Sequence, residues 1–215
     1  NVLKKAGTLR LLVAHNIYNR EVTTVPLIFI SGGVRSGKSH FAEQEAVLHY
    51  QNKDLINKRL IYIASGVAMD VEMEKRIVRH QADRLKQAIA WHTIEAPYQI
   101  QDAFNTLVEG DIVLWDCVTT WLTNAFYEGF DRGTPCVEKP GCLEEKIWFM
   151  KSAVLTLLDK KVTLFVVSNE LFDEPPYGNE EVELYRQLLG NLHQWFVSIS
   201  QEAYEINYGI VKKWK

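Results

Sequence analysis

Residues 26–43 read P-L-I-F-I-S-G-G-V-R-S-G-K-S-H-F-A-E, and they constrain the fold more than any other stretch of the chain. The apolar run over 27–31 is short and bounded by glycine, which predicts a buried strand rather than a helix. Residues 37–49 follow with Phe41, Ala42, Glu45 and Leu48 at helical spacing. Between them lie Gly32, Gly33, Val34, Arg35, Ser36, Gly37, Lys38 and Ser39, in the pattern G-x-x-x-x-G-K-[ST]. Glycines let backbone N–H groups converge on an anion, and the helix N-terminus adds positive potential. A strand, such a turn and a helix in this order make a cradle for the phosphates of a nucleoside triphosphate, so all eight residues are assigned to nucleotide binding. Lys38 would neutralise the outer phosphates as a catalytic group, and the Ser39 hydroxyl would ligate Mg2+.

The rest of the chain repeats the strand–helix alternation. Strands are expected over 59–64, 111–117 and 162–169, with an extended piece over 91–96 and two closing strands after residue 202. Helices are expected over 71–87, 100–108, 143–158 and 181–200, and Gly- and Pro-bearing loops over 131–141 and 170–180. Alternation of this kind predicts an α/β fold with a mostly parallel sheet and helices on both faces. The expected organisation is a single P-loop (RecA-like) domain over 26–215, preceded by an N-terminal extension over 1–25. A chain of 215 residues suits one such domain.

Charge and composition exclude several classes. The net charge is −3, and no run concentrates Lys and Arg, so a nucleic-acid partner is not expected. No run reaches the roughly 20 apolar residues that span a bilayer. The early L-R-L-L-V-A is too short for a signal segment and the first residue is Asn1, which leaves the cytoplasm as the expected location. Three cysteines suggest no disulfide framework: Cys117 falls in an apolar run, and Cys136 and Cys142 flank V-E-K-P-G without the further ligands a metal site needs.

Two further features carry chemistry. I-V-L-W-D ends in Asp116, where a carboxylate at the C-terminal end of a parallel strand would meet the cradle's Mg2+. The alternative is an Asp that merely caps a strand end. Arg76, His80 and Arg84 stand at i, i+4 and i+8 on one predicted helix. Cations flanking an imidazole suit a bound anion and hold the ring neutral as a nucleophile, although a solvated surface histidine fits the same pattern. His15, His40, His49, His92 and His193 receive no role.

These pieces, in this order, resemble the bifunctional adenosylcobinamide kinase / adenosylcobinamide-phosphate guanylyltransferase family of cobalamin (vitamin B12) synthesis. The matching stretches are G-G-V-R-S-G-K-S-H-F-A-E, Y-I-A-S-G-V-A-M-D-V-E-M-E-K-R-I-V-R-H-Q-A-D-R, W-H-T-I-E, V-L-W-D-C-V-T-T-W-L-T-N, V-V-S-N-E and the terminal G-I-V-K-K-W-K. The phosphate loop is generic, whereas R-I-x-x-H-x-x-x-R followed by W-x-T-I-E is particular. The resemblance implies phosphorylation of adenosylcobinamide by ATP or GTP, then transfer of GMP from GTP through a histidine to give adenosylcobinamide-GDP. It places the guanylylated histidine at His80, and further nucleotide contacts at Ser65, Gly66, Gln81, Ala82, Asp83, Arg84, Glu95 and Asp116. It also implies a homo-oligomer, a trimer.

One stretch departs from the family. After V-V-S-N-E the family continues with a Gly-rich segment, where this chain reads L-F-D-E-P-P-Y-G-N-E-E. That departure bears on the corrinoid side of the site, because backbone approaching a ligand closely usually needs glycine. Alternatives to the bifunctional enzyme are a P-loop kinase of another small metabolite, a diverged member retaining only nucleotide binding, and an ATPase module acting on nucleic acid.

Overall fold

The computed structural model describes residues 26–52, 58–66, 89–172 and 178–215. The elements in chain order are β1 (Leu27–Gly32), α1 (Lys38–Asn52), β2 (Leu60–Ala64), β3 (Trp91–Glu95), α2 (Ile100–Asn105), β4 (Ile112–Asp116), α3 (Val118–Tyr127), α4 (Cys142–Asp159), β5 (Thr163–Asn169), α5 (Glu180–Ile199), β6 (Glu202–Asn207) and β7 (Ile210–Lys213). The helix expected over 71–87, which carries Arg76, His80, Gln81, Ala82, Asp83 and Arg84, lies outside the described residues, as does the extension over 1–25.

The strands form one sheet in the order β3-β2-β4-β5-β1-β6-β7. Every pairing is parallel except β6 with β7, so the fold class expected from the sequence is observed. The central strands are apolar on both faces because helices cover both. Leu27 and Phe29 of β1 pack into one layer with α2, α3, α4 and α5, while Ile28 and Ile30 pack into the other against Ala42 and Ala46 of α1. Trp115 of β4, fully buried, anchors the first layer through edge-on contacts with Phe104, Trp121 and Phe196. No helix among the described residues is long and apolar enough to cross a membrane.

Three expectations change in detail. Helix α1 buries its alanine face and leaves Leu48 exposed. The extended piece W-H-T-I-E is a full edge strand, paired to β2 along its whole length. Helix α2 stops at Asn105 rather than Val108, because tertiary partners take over the backbone there. The Arg59 guanidinium donates to the Thr106 carbonyl, and the Asp111 carboxylate accepts the Val108 N–H at 2.8 Å.

The cysteines give a correction. Cys136 and Cys142 form a disulfide with Cα atoms 5.6 Å apart, where the sequence suggested none. A short 3-10 turn over Cys136–Glu138 and the left-handed Gly141 fold the connection back, and spacing alone does not reveal that geometry.

Candidate active site

Parallel strands deliver their C-terminal ends to one edge of the sheet, where ligands bind in open α/β folds. Register fixes what meets there. Gly32 stands opposite Asn169 of β5 and Ile206 of β6. Asp116 stands opposite Ala64 and Val167, and Ala64 in turn stands opposite Glu95.

The loop after β1 has the shape its glycines imply. Arg35 and Gly37 take positive φ, at 61° and 96°, which turns successive peptide groups inward. Ser36 N donates to Gly33 O at 3.2 Å, and Phe41 N donates to Gly37 O at 3.0 Å to begin α1. Lys38 is buried and its Nζ donates to the Gly33 carbonyl at 3.1 Å, so the ammonium lies folded over the loop. Val34 and Arg35 face solvent, and Ser39 is half-buried at the helix start. The Ser36 hydroxyl is the one buried side-chain oxygen or nitrogen among the described residues without a hydrogen-bond partner. Buried polar atoms are rarely left unsatisfied, so a hydroxyl stranded inside a cradle of N–H groups fits a phosphate oxygen.

Asp116 ends β4 half-buried, and the Tyr62 hydroxyl donates to its Oδ2 at 3.0 Å. A carboxylate offers about four lone-pair sites, so this bond orients the group and leaves capacity for a cation. The Ser39 hydroxyl and the Asp116 carboxylate are hard oxygen donors of the kind Mg2+ takes, with water and phosphate completing the shell. The next residue, Cys117, is a fully buried thiol pushed up to about 11, chiefly by burial and then by the Asp116 charge, with Lys38 acting in the opposite sense. Lys38 and Asp116 thus act on one point, and a thiol so protonated is no nucleophile.

The remaining sequence candidates divide. Ser65 is fully buried with its polar groups engaged inside the chain. Its N–H donates to the Asp116 carbonyl, its hydroxyl accepts Trp115 Nε1 at 2.7 Å, and its carbonyl accepts Asn124 Nδ2 at 2.8 Å. It therefore holds the β2 and β4 ends together, while Gly66 beside it is half-exposed. Glu95 is exposed at the far edge. Four strand intervals separate β3 from β1, which at strand spacing is about 19 Å.

Several residues escaped the sequence reading. Tyr62 looked like one more apolar position in its strand. Thr119 Oγ1 accepts the Asn169 N–H at 2.7 Å and shares a hydrogen bond with Ser168 Oγ at 2.9 Å. His193 Nε2 completes this chain on Ser168 Oγ at 2.7 Å. Burial brings the His193 imidazole down to about 4, so it is neutral at pH 7. The network steadies the end of β5, from which Glu170 N donates to the Gly32 carbonyl at 2.9 Å. The V-V-S-N segment over 166–169 is its sequence signal. Of L-F-D-E-P-P-Y-G-N-E-E, Phe172 packs edge-on against His193, and Asn179 caps α5 by accepting from Glu181 N and Val182 N. Residues 173–177 lie outside the described residues.

Comparison with known proteins agrees with this geometry. Two relatives are bifunctional adenosylcobalamin biosynthesis proteins CobU, from Escherichia coli (24% identical, over 88% of this chain and 99% of the relative) and Salmonella typhimurium (26%, over 88% and 99%). The bifunctional adenosylcobalamin biosynthesis protein CobP of Pseudomonas aeruginosa is 38% identical over 44% of this chain, a match that spans half of that protein's length. Among solved structures, a KaiC-like protein from Pyrococcus horikoshii OT3 aligns at a TM-score of 0.42 and 10% identity, over 84% of this chain and 70% of that one. The family model described as cobinamide kinase / cobinamide phosphate guanyltransferase matches residues 28–213, and the chain belongs to that family.

Proposed function

We propose that this chain is an enzyme of cobalamin synthesis that carries out two successive transfers on adenosylcobinamide. In the first, the hydroxyl oxygen of the aminopropanol arm attacks the terminal phosphorus of ATP or GTP, and the nucleoside diphosphate leaves. In the second, a nitrogen of His80 attacks the α-phosphorus of GTP and pyrophosphate leaves. An oxygen of the new corrinoid phosphate then displaces the histidine, giving adenosylcobinamide-GDP. Covalent carriage splits one nucleotidyl transfer into two in-line displacements.

The observation that carries this reading is the meeting of the Lys38 cradle, with its unsatisfied Ser36 hydroxyl, and Asp116 on one sheet edge. Lys38 and the loop N–H groups stabilise charge on the transferring phosphoryl oxygens. Mg2+, held by Ser39 and Asp116, would supply further neutralisation of the phosphates. Arg84 and Arg76 would serve the guanylyl group, and Gln81, Ala82 and Asp83 would line the same nucleotide. Glu95 would accept hydrogen bonds from the guanine edge or its ribose, with Ser65 and Gly66 shaping the adjacent floor. The reading includes a cytoplasmic homo-oligomer built from one catalytic domain over 26–215.

The test is to incubate the protein with adenosylcobinamide, ATP, GTP and Mg2+ and to identify products by mass. Adenosylcobinamide-GDP is expected, and its absence together with the absence of the phosphate intermediate would overturn the reading. His80→Ala should abolish the acid-labile label left by radioactive GTP while phosphorylation continues. Loss of neither activity would remove His80 from the mechanism. The departure at L-F-D-E-P-P-Y-G-N-E-E supports a narrower form, in which nucleotide binding and self-guanylylation outlast corrinoid turnover. A labelled protein without corrinoid product would favour it.

A further inference from the structure

Strands β6 and β7 are joined by a two-residue turn, Tyr208-Gly209, closed by the pairing of Asn207 with Ile210. Both turn residues take positive φ, at 52° and 77°, the geometry of a type I′ hairpin. Asn, Asp or Gly is favoured at the first of these positions, and a bulky aromatic there is unfavourable. The Tyr208 side chain recovers nothing by packing, since it is 99% exposed.

The turn is fastened to the phosphate loop. Gly209 N donates to the Ser36 carbonyl at 3.0 Å, and β6 runs parallel to β1 as far as the pair Gly32–Ile206. Tyr208 therefore stands at the level of the loop, on the side of β1 opposite β5 and Asp116. With its metal and acceptor side toward Asp116, as the phosphoryl-transfer reading has it, a triphosphate in the loop would direct its nucleoside toward the hairpin side. An exposed ring held at a fixed place beside a phosphate site presents a flat apolar face to a base, and every base has a π-face to stack on it.

We infer that Tyr208 is the stacking platform for the base of the nucleoside triphosphate bound in the Gly32-to-Ser39 loop. This rests on the phosphoryl-transfer reading above and deepens it. Stacking reads no hydrogen-bond pattern, so the platform accepts adenine and guanine alike and leaves the phosphoryl donor step tolerant of either. Glu95 stands five strand intervals from the hairpin, about 24 Å along the sheet edge, and serves a different base.

The experiment measures dissociation constants for ATP, GTP and inorganic tripolyphosphate on wild type, Tyr208→Asn and Tyr208→Phe, alongside thermal midpoints. Asn suits the turn, so Tyr208→Asn should keep or raise the midpoint while weakening ATP and GTP by about tenfold each. Tripolyphosphate affinity should stay within twofold, and Tyr208→Phe should bind as wild type does. ATP affinity unchanged in Tyr208→Asn overturns the inference, as does an equal loss for tripolyphosphate, which would make the hairpin a mere support for the loop. Wild type that binds none of the three ligands overturns the phosphate-loop reading itself, and the inference falls with it.

Discussion

Replacing Gly32 with alanine tests the joint between the sheet and the phosphate loop. A Cβ built on Gly32 meets the Ile206 carbonyl oxygen at 2.2 Å and the Ser36 hydroxyl at 2.8 Å. The serine can rotate away, but the carbonyl belongs to a paired strand. Bringing that contact to the 3.0 Å floor of real Cβ packing requires a shift of 3.0 − 2.2 = 0.8 Å in β6 or in the end of β1. Overpacking of this kind costs about 1–3 kcal/mol, which for a chain of this size lowers the thermal midpoint by roughly 2–12 °C. The same displacement moves the first residue of the cradle, and a misplacement of about 1 Å can cost on the order of a hundredfold in rate. Gly33→Ala is the control, since a Cβ there meets nothing within 4 Å. Thermal scans of both variants, with ATP titrated into each, decide the matter. A midpoint for Gly32→Ala within a degree of wild type, or an equal loss in Gly33→Ala, would refute the steric argument.

Two more predictions concern stability. The Cys136–Cys142 bond closes a loop of sequence separation 6, which in the chain-entropy view stabilises by on the order of 2 kcal/mol. A reductant should lower the wild-type midpoint by about 5 °C and leave Cys142→Ser unmoved, and equal midpoints with and without reductant would sink the idea. His193 titrates at about 4 when folded against about 6.5 unfolded, so the unfolded chain binds the proton first. Its contribution is complete above pH 6.5 and is lost as the pH falls toward 4, by about 3 kcal/mol. Urea midpoints at pH 7 and pH 4.5 should therefore fall further for wild type than for His193→Gln, and parallel losses would argue against a buried neutral imidazole.

The middle of the sheet was legible because β1, β2 and β4 are apolar almost throughout and the helices are not. L-I-F-I, L-I-Y-I and I-V-L-W each carry side chains into two packed layers, so no polar residue interrupts them. Element ends were less legible, since α2 stops where Arg59, 47 positions away, takes the Thr106 carbonyl and Asp111 takes the Val108 N–H. The phosphate loop was legible for a different reason. Its glycines answer a backbone requirement that lies within eight consecutive residues, whereas the Tyr62–Asp116 and Ser168–His193 bonds join residues separated by tens of positions. No local pattern encodes those pairs, and each looked like an ordinary strand or helix residue.

Strand order bears on how two transfers could share one sheet. The cradle begins at β1 and Glu95 ends β3, with β5, β4 and β2 between them. A base at Glu95 and a γ-phosphate at Lys38 are then about four strand spacings, or about 19 Å, apart. A single group held rigidly cannot serve both ends. In the proposed sequence of reactions the phosphate is made at the Lys38 end, while the guanine lies toward Glu95. Something must close the distance, and the covalent histidine intermediate proposed above would do so. In that proposal the guanylyl group would stay attached after pyrophosphate leaves, while the corrinoid phosphate moves toward it. Asp116 stands between the two ends, opposite Ala64 on one side and Val167 on the other, where its carboxylate can face phosphates arriving from either direction.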